Sequence, residues 1–265
     1  MSRRLRLDAE LVRRGLARSR DQAADLIAAG RVTVGGQLAG KPASQVTTDV
    51  PITIGQAGGE PEYVSRGGRK LAGALAAFPS LAVAGKRCLD AGASTGGFTD
   101  VLLRAGAGHV VAVDVGYGQL AWPLRIDDRV TVLDRVNVRN LTPGQVAPPP
   151  QLVVADLSFI SLTIVLPALT GCAATGADFL LMVKPQFEVG KESVGGGVVR
   201  EPELRAAAVL KVARSAAELR LGVAGVTASP LPGPSGNVEY FLWLRRGAGP
   251  LDDAALRLAI AAGPQ

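Results

Sequence analysis

From residue 81 onward the chain alternates short, unbroken apolar runs with stretches in which apolar residues recur every three or four positions. The runs "RCLDAG", "HVVAVDVG", "VTVLDRVN", "QLVVADLS", "DFLLMVKPQ", "GVAGVTASP" and "VEYFLWLRR" read as strands. Most are continuous Val, Leu and Ala rather than apolar and polar in turn, which predicts a parallel sheet covered by helices on both faces. The clearest helix is "PELRAAAVLKVARSAAELR", where Pro202 suits a first turn. A doubly wound α/β domain follows.

The first quarter has another texture. Leu7, Leu11 and Val12 fit one helical face, Ser19 suits an N-cap, and Ala23, Leu26 and Ile27 fit a second face that Gly30 ends. "RVTVGGQ" then reads as a strand with a tight turn, and "PITI" as a further strand. "GQAGGEPE", rich in Gly and carrying Pro, reads as a linker. The predicted organisation is a small α+β domain at 1–58, a linker at 59–65 and the α/β domain at 66–265.

Composition narrows the setting. With 265 residues and 48% hydrophobic content the chain can bury a sizeable core. No apolar stretch reaches the roughly 20 residues needed to cross a bilayer, and the charged start lacks a signal-peptide core, so a cytoplasmic protein with no membrane association is expected. Cys88 and Cys172 lie far apart without metal-like spacing, which predicts two core thiols and no metal site. Residues 1–70 carry 12 Lys/Arg against 7 Asp/Glu, whereas the remainder carries 17 against 16. The excess in the front quarter fits a phosphate-binding module or, equally, a solvated basic helix.

The stretch "LDAGASTGGFTDVLL" carries the first candidate chemistry. A run ending at Asp90 is followed by Gly92, Ala93, Ser94, Thr95, Gly96 and Gly97, then by a helical pattern. A nicotinamide fingerprint would read G-x-G-x-x-G, to bring backbone against a pyrophosphate. Here the middle glycine is missing, and an acid stands two residues before the first glycine. That pattern suits S-adenosyl-L-methionine, which has no phosphates and carries ammonium and sulfonium charge. Asp114, at the end of the next strand, suits ribose hydroxyls, although it would serve NAD as well. Asp134, at the end of the third strand, is placed to reach an adenine.

Four charged residues fall at strand ends or at a helix start: Asp156 in "VVADLSFIS", Lys184 in "LLMVKPQ", Glu239 in "GNVEYFLW" and Lys70 in "SRGGRKLAGAL". If the last strand is antiparallel, all four meet at one rim of the sheet. The chain holds 23 Arg and only 6 Lys, which makes Lys70 and Lys184 candidates for groups able to lose a proton, although Lys41, Lys86, Lys191 and Lys211 show that the bias is not absolute. His109 is the only histidine and opens a strand, which argues against hydrolases built on histidine.

Two resemblances attach to these motifs. "GLARSRDQAADLIAAGRVTVGG" resembles the S4 RNA-binding domain, which implies that Arg3, Arg4, Arg6, Arg18 and Arg20 face RNA phosphates. "SRGGRKL", "LDAGASTGGFT", "DVGYGQLAW", "VVADLSFISL", "VKPQFEVG" and "PLPGPSGNVEYFLW" resemble the TlyA ribosomal RNA methyltransferases, some of which carry a haemolysin name. The resemblance runs from about residue 2 to residue 246. It implies a Rossmann-like class I methyltransferase sheet with an antiparallel last strand, of the FtsJ type. It further implies 2′-O-methylation of cytidine ribose in 16S and 23S ribosomal RNA; the expected partner is ribosomal RNA within ribosomal subunits, and a monomer is the default expectation. A Lys-Asp-Lys-Glu tetrad then falls on Lys70, Asp156, Lys184 and Glu239, with Asp156 also near the cofactor. On this reading Lys184, its pKa lowered by Lys70, accepts or steers the hydroxyl proton, while the two acids hold the lysines and the hydroxyl. Arg66 and Arg69 are expected to contact RNA phosphates beside the linker, and the loop "EVGKESVGGGVVRE" is expected to be mobile.

Overall fold

A computed structural model of the chain describes residues 4–55, 63–190 and 196–264, and the chain divides into two units between residues 62 and 63. Arg3, all but Gly55 of the "GQAGGEPE" segment, and residues 191–195 of the glycine loop lie outside the described residues.

In the N-terminal unit β1 (Arg4–Arg6) leads into α1 (Leu7–Arg13) and α2 (Arg20–Ala28), followed by β2 (Val32–Val34), β3 (Gln37–Leu38), β4 (Gln45–Thr47) and β5 (Ile52–Ile54). The predicted apolar faces meet: Leu7, Leu11, Ala23, Leu26 and Ile27 form one small core with Val32, Val46 and Ile52. Ser19 caps α2, its Oγ accepting from the Gln22 amide at 3.2 Å. Gly35 and Gly36, at φ +58° and +82°, supply the left-handed turn that joins β2 to β3. The ribbon of β1 with β4 is absent from the sequence reading because three-residue strands are too short to show alternation. Arg4 and Arg6 stand on β1.

The second unit contains α3 (Arg66–Ala77), β6 (Arg87–Ala91), α4 (Gly97–Arg104), β7 (His109–Asp114), α5 (Trp122–Arg125), β8 (Val130–Asp134), α6 (Pro143–Val146), β9 (Leu152–Ala155) and α7 (Leu162–Cys172). It continues through β10 (Asp178–Val183), α8 (Pro185–Glu188), α9 (Pro202–Glu218), β11 (Gly222–Ala228), β12 (Tyr240–Arg245) and α10 (Asp253–Ala261). All seven strands predicted from the apolar runs join one sheet, in the order β11-β12-β10-β9-β6-β7-β8. Only β12 runs against its neighbours, pairing antiparallel with both β10 and β11.

Continuous apolar strands are explained by burial on both faces. Successive side chains point to opposite sides, so Leu181 enters the core under α7 and α9 while Leu180 enters the core under α3 and α4. Cys88 and Cys172 are buried thiols in these two cores. No helix of the described residues is long and apolar enough to cross a membrane.

Register fixes what lies at the working edge. Ala91 pairs with both Val113 and Ala155, Asp114 with Asp134, Leu181 with Ala155, and Val183 with Tyr240. Asp156, the residue after Ala155, and Lys184, the residue after Val183, therefore emerge at the same rim. Because β12 is antiparallel, Glu239 enters that rim just before Tyr240.

Candidate active site

The strand order reverses between β6 and β9, and in open α/β sheets ligands bind outside the strand ends at such a point. The glycine turn sits there. Gly92 has φ +88°, and a Cβ on it would lie 2.5 Å from the Asp156 carbonyl oxygen, so only glycine lets the two loops approach. Ser94 also takes a left-handed backbone, φ +47°, and its amide donates to Asp114 Oδ2 at 2.8 Å. At Gly97 a side chain would collide with Ser65 Oγ and the Gly68 amide, because the starts of α3 and α4 pack against each other. Thr95 and Ser94 are exposed on the turn, while Ala93 and Gly96 are buried.

Three carboxylates crowd this edge. Asp90 is fully buried; Thr99 Oγ1 donates to its Oδ2 at 2.7 Å, and its Oδ1 has no hydrogen-bond partner among the described residues. Burial, reinforced by the charges of Asp156 and Asp114, pushes the Asp90 pKa up to about 7. Asp114 also accepts from the Gly116 amide, at 2.7 Å, and so braces the turn on both sides. Asp134 pairs with Arg125 at 2.9 Å and accepts from the Gly118 amide at 3.2 Å.

This set fits a small cationic ligand. An orphaned buried carboxylate oxygen and a backbone cradle that no Cβ can enter are what an ammonium- and sulfonium-bearing molecule such as S-adenosylmethionine requires. The linkage has a definite sign. An acid whose folded pKa lies above its unfolded value of about 3.9 costs stability as pH rises through the window from about 4 to 7. Asp90→Asn is thus expected to raise the melting temperature of the ligand-free protein at pH 8 and to weaken S-adenosylmethionine binding. Thermal melts with and without the cofactor check this; tighter binding by the variant would contradict the assignment.

The four rim residues form two ion pairs. Lys70 Nζ donates to Glu239 Oε2 at 2.5 Å, with both side chains buried. Lys184 Nζ lies 2.6 Å from Asp156 Oδ1 and donates to Ser158 Oγ at 2.9 Å. Each lysine thus has its own carboxylate, a pairing the sequence reading did not specify. Lys70 reaches Glu239 from the second turn of α3, whose buried face is Gly68, Lys70, Leu71 and Ala74. Gly233 is small for a matching reason: a Cβ there would meet Glu239 Oε1 at 2.7 Å.

Sequence reasoning missed Ser158 and Phe159. Phe159 holds φ +64°, is 91% exposed and rests its ring 5.2 Å from that of Phe187. A bulky residue in the left-handed region is uncommon and clusters at functional sites. The available signal was a phenylalanine in the short stretch between a buried strand and the next helix.

The predicted RNA-facing arginines separate. Arg4 and Arg18 are exposed. Arg6 and Arg20 both pair with the buried Asp8, at 2.8 and 2.9 Å, while their side chains stay 46% and 58% exposed. Arg66 is exposed, with Nη2 3.4 Å from the Pro232 carbonyl, and Arg69 is half-buried in α3. His109 pairs with Thr131 at the opposite end of β7 from this rim.

Comparison with known proteins places these features. The FtsJ-like methyltransferase family profile matches residues 63–246, and the S4 domain profile matches residues 5–52. The chain is 62% identical to the 16S/23S rRNA (cytidine-2′-O)-methyltransferase TlyA of Mycobacterium tuberculosis, with the whole of both chains covered. It is 44% identical to YqxC of Bacillus subtilis, which carries an rRNA methyltransferase name, over 92% of this chain and 86% of that one. Among solved structures, a hemolysin-named protein of Streptococcus thermophilus superposes with a TM-score of 0.77 at 37% identity, covering 98% of this chain and 96% of that chain.

Proposed function

Because this chain belongs to the TlyA family of FtsJ-like methyltransferases, with an S4 domain at its front, we propose that it methylates the ribose 2′-hydroxyl of cytidines in 16S and 23S ribosomal RNA. S-adenosylmethionine supplies the electrophilic methyl group. The observation that carries the reading is that Asp156 joins both halves of the site: its carbonyl abuts Gly92 of the cofactor turn, and its carboxylate holds Lys184.

The chain's own residues divide the work. Gly92 to Gly97 would form the cofactor's cradle, Asp90 would offer its unpartnered oxygen to the cationic end, Asp114 would take the cofactor's ribose hydroxyls and Asp134 its adenine. Lys184, beside Asp156 and Ser158, orients the RNA hydroxyl; as the O–C bond forms and the methyl–sulfur bond breaks, which would leave a neutral thioether, Lys184 takes the hydroxyl proton while passing one of its own to the Asp156 carboxylate. The Lys70–Glu239 pair walls the other side. Much of the acceleration comes from orientation, which can supply roughly 7–11 kcal/mol.

Phe159 offers a nucleobase an exposed face on which to stack, an interaction worth about 1–3 kcal/mol for single-stranded RNA. Phe159→Ala is expected to raise the KM for RNA by about tenfold with unchanged cofactor affinity; steady-state kinetics with varied RNA check it, and an unchanged KM would remove the role. Arg4, Arg6, Arg18, Arg20, Arg66 and Arg69, with Arg3, meet phosphates. We further assign the reaction to assembled subunits in the cytoplasm, by one copy of the chain. Mapping tritiated methyl groups on 16S and 23S RNA, offered as purified subunits and as naked RNA, tests the function. Label in 2′-O-methylcytidine is expected, and label confined to a base or to protein would overturn it.

A further inference from the structure

The loop that follows β9 and the turn that follows β10 carry the two members of the Lys184–Asp156 pair, and a buried carboxylate ties them together. Glu188, the last residue of α8, has a side chain 1% exposed. Its Oε2 accepts from Ser161 Oγ at 2.5 Å, and its Oε1 accepts from the Leu162 amide at 2.7 Å. Ser161 is the N-cap of α7, so the carboxylate meets unpaired amides and the positive end of an 11-residue helix. From the other side Lys211 of α9 donates to the Glu188 carbonyl oxygen at 2.6 Å, with its Nζ 4.0 Å from Oε2.

Glu188 lies one helical turn beyond Lys184, and Ser161 stands a few residues beyond Asp156. The two segments are therefore cross-linked at successive levels: by Lys184 with Asp156, by Phe159 with Phe187, and by Glu188 with Ser161 and Leu162. Phe159 is exposed and Asp156 is partly buried, whereas Glu188 and Leu162 are buried. The segment from Asp156 to Ile160 lies outside helices and strands; the Asp156 amide donates to the Ala91 carbonyl at 3.0 Å and Leu157 and Ile160 pack on the core, and these side-chain links add the direct ties to α8.

We propose that Glu188 is a positioning residue for methyl transfer: by clamping α8 to the start of α7 it sets the separation of Lys184 from Asp156 before RNA arrives. This rests on the reading of Lys184 and Asp156 as the groups at the reacting hydroxyl. Glu188→Gln keeps the volume but replaces two charge-assisted bonds with neutral ones and turns an amide N–H toward the Ser161 hydroxyl, which must reorient to accept it. Because a shift of about 1 Å in a catalytic group can cost about 100-fold, Glu188→Gln is expected to lower the single-turnover rate about 10- to 100-fold. Cofactor affinity and the KM for RNA should stay within about twofold of wild type. Ser161→Ala should lower the rate about 3- to 10-fold, and the double variant should be no slower than Glu188→Gln, since residues in one network do not add.

Rates are counted per S-adenosylmethionine site measured by equilibrium binding. A residue that only maintained folding would reduce the number of sites and leave the rate per site unchanged. A wild-type rate per site in both variants overturns the inference, as does a loss expressed wholly in KM. Should Glu188→Gln fail to fold, Ser161→Ala decides alone. An inactive Lys184→Ala beside wild-type rates in the Glu188 and Ser161 variants overturns the inference only; full transfer by Lys184→Ala overturns the underlying reading and the inference together.

Discussion

Lys184→Ala is expected to lower methyl transfer by about 100- to 1000-fold, the cost of removing one preorganised charged group from a reacting centre. Affinity for S-adenosylmethionine should stay within about threefold, because the turn from Gly92 to Gly97 contributes the cradle and Lys184 does not form part of it. The variant also leaves Asp156 without its cation, 2.6 Å away in the intact protein, so a small loss of stability accompanies the loss of rate. Lys184→Arg should recover little of the activity. A planar guanidinium with fixed donors replaces a compact ammonium that Asp156 and Ser158 hold in one place. Single-turnover assays and calorimetric titration with the cofactor check both halves, and near-normal turnover by Lys184→Ala would remove the residue from the chemistry.

Gly92→Ala attacks the other half of the site. A methyl group at this position would stand 2.5 Å from the Asp156 carbonyl oxygen, which is backbone and cannot swing aside. The residue also sits at φ +88°, where an L side chain is strained by about 1–2 kcal/mol. The loops carrying Asp90 and Asp156 must part, and cofactor affinity is expected to fall at least tenfold, with a melting temperature several degrees lower. Gly118→Ala supplies the control, since Gly118 also has positive φ, +65°, but a Cβ there would meet nothing within 4 Å. It should share the conformational cost and keep the cofactor. Equal binding by Gly92→Ala and wild type would show that the cofactor does not depend on this close approach.

The sheet was legible because its central strands are buried on both sides. Leu152, Val153, Val154 and Ala155 feed two cores at once, so the run stays apolar and stands out against its turns. The ends of those runs were legible too, which is why Asp114, Asp134, Asp156, Lys184 and Glu239 could be placed at one rim before any coordinates. Partnership was not. Lys70 and Glu239 are 169 residues apart in sequence, and nothing local in either stretch says that they touch. Asp134 reads from sequence as a carboxylate placed to reach an adenine, and its pairing with Arg125 is visible only in the fold. In the N-terminal unit, Arg6 and Arg20 read as an exposed basic surface, but Asp8, buried beneath them, draws both together. Phe159 escaped notice because its significance lies in a backbone angle and an exposure that one letter in a sequence does not carry.

These misses share a cause. Periodicity reports which face of an element is buried, and it is silent on which polar groups from distant elements complete one another. Glycine is the partial exception, because the close approaches at Gly92 and Gly97 left a readable trace where any other residue would collide.

The most direct measurement is a crystal structure of the protein with S-adenosylhomocysteine and a cytidine-containing oligonucleotide bound. The sulfur should lie over the turn at Gly92, with the ribose 2′-oxygen between it and Lys184 Nζ. A sulfur bound away from that turn, or a 2′-oxygen out of reach of both Lys184 and Asp156, would contradict the assignment of this rim as the site of methyl transfer.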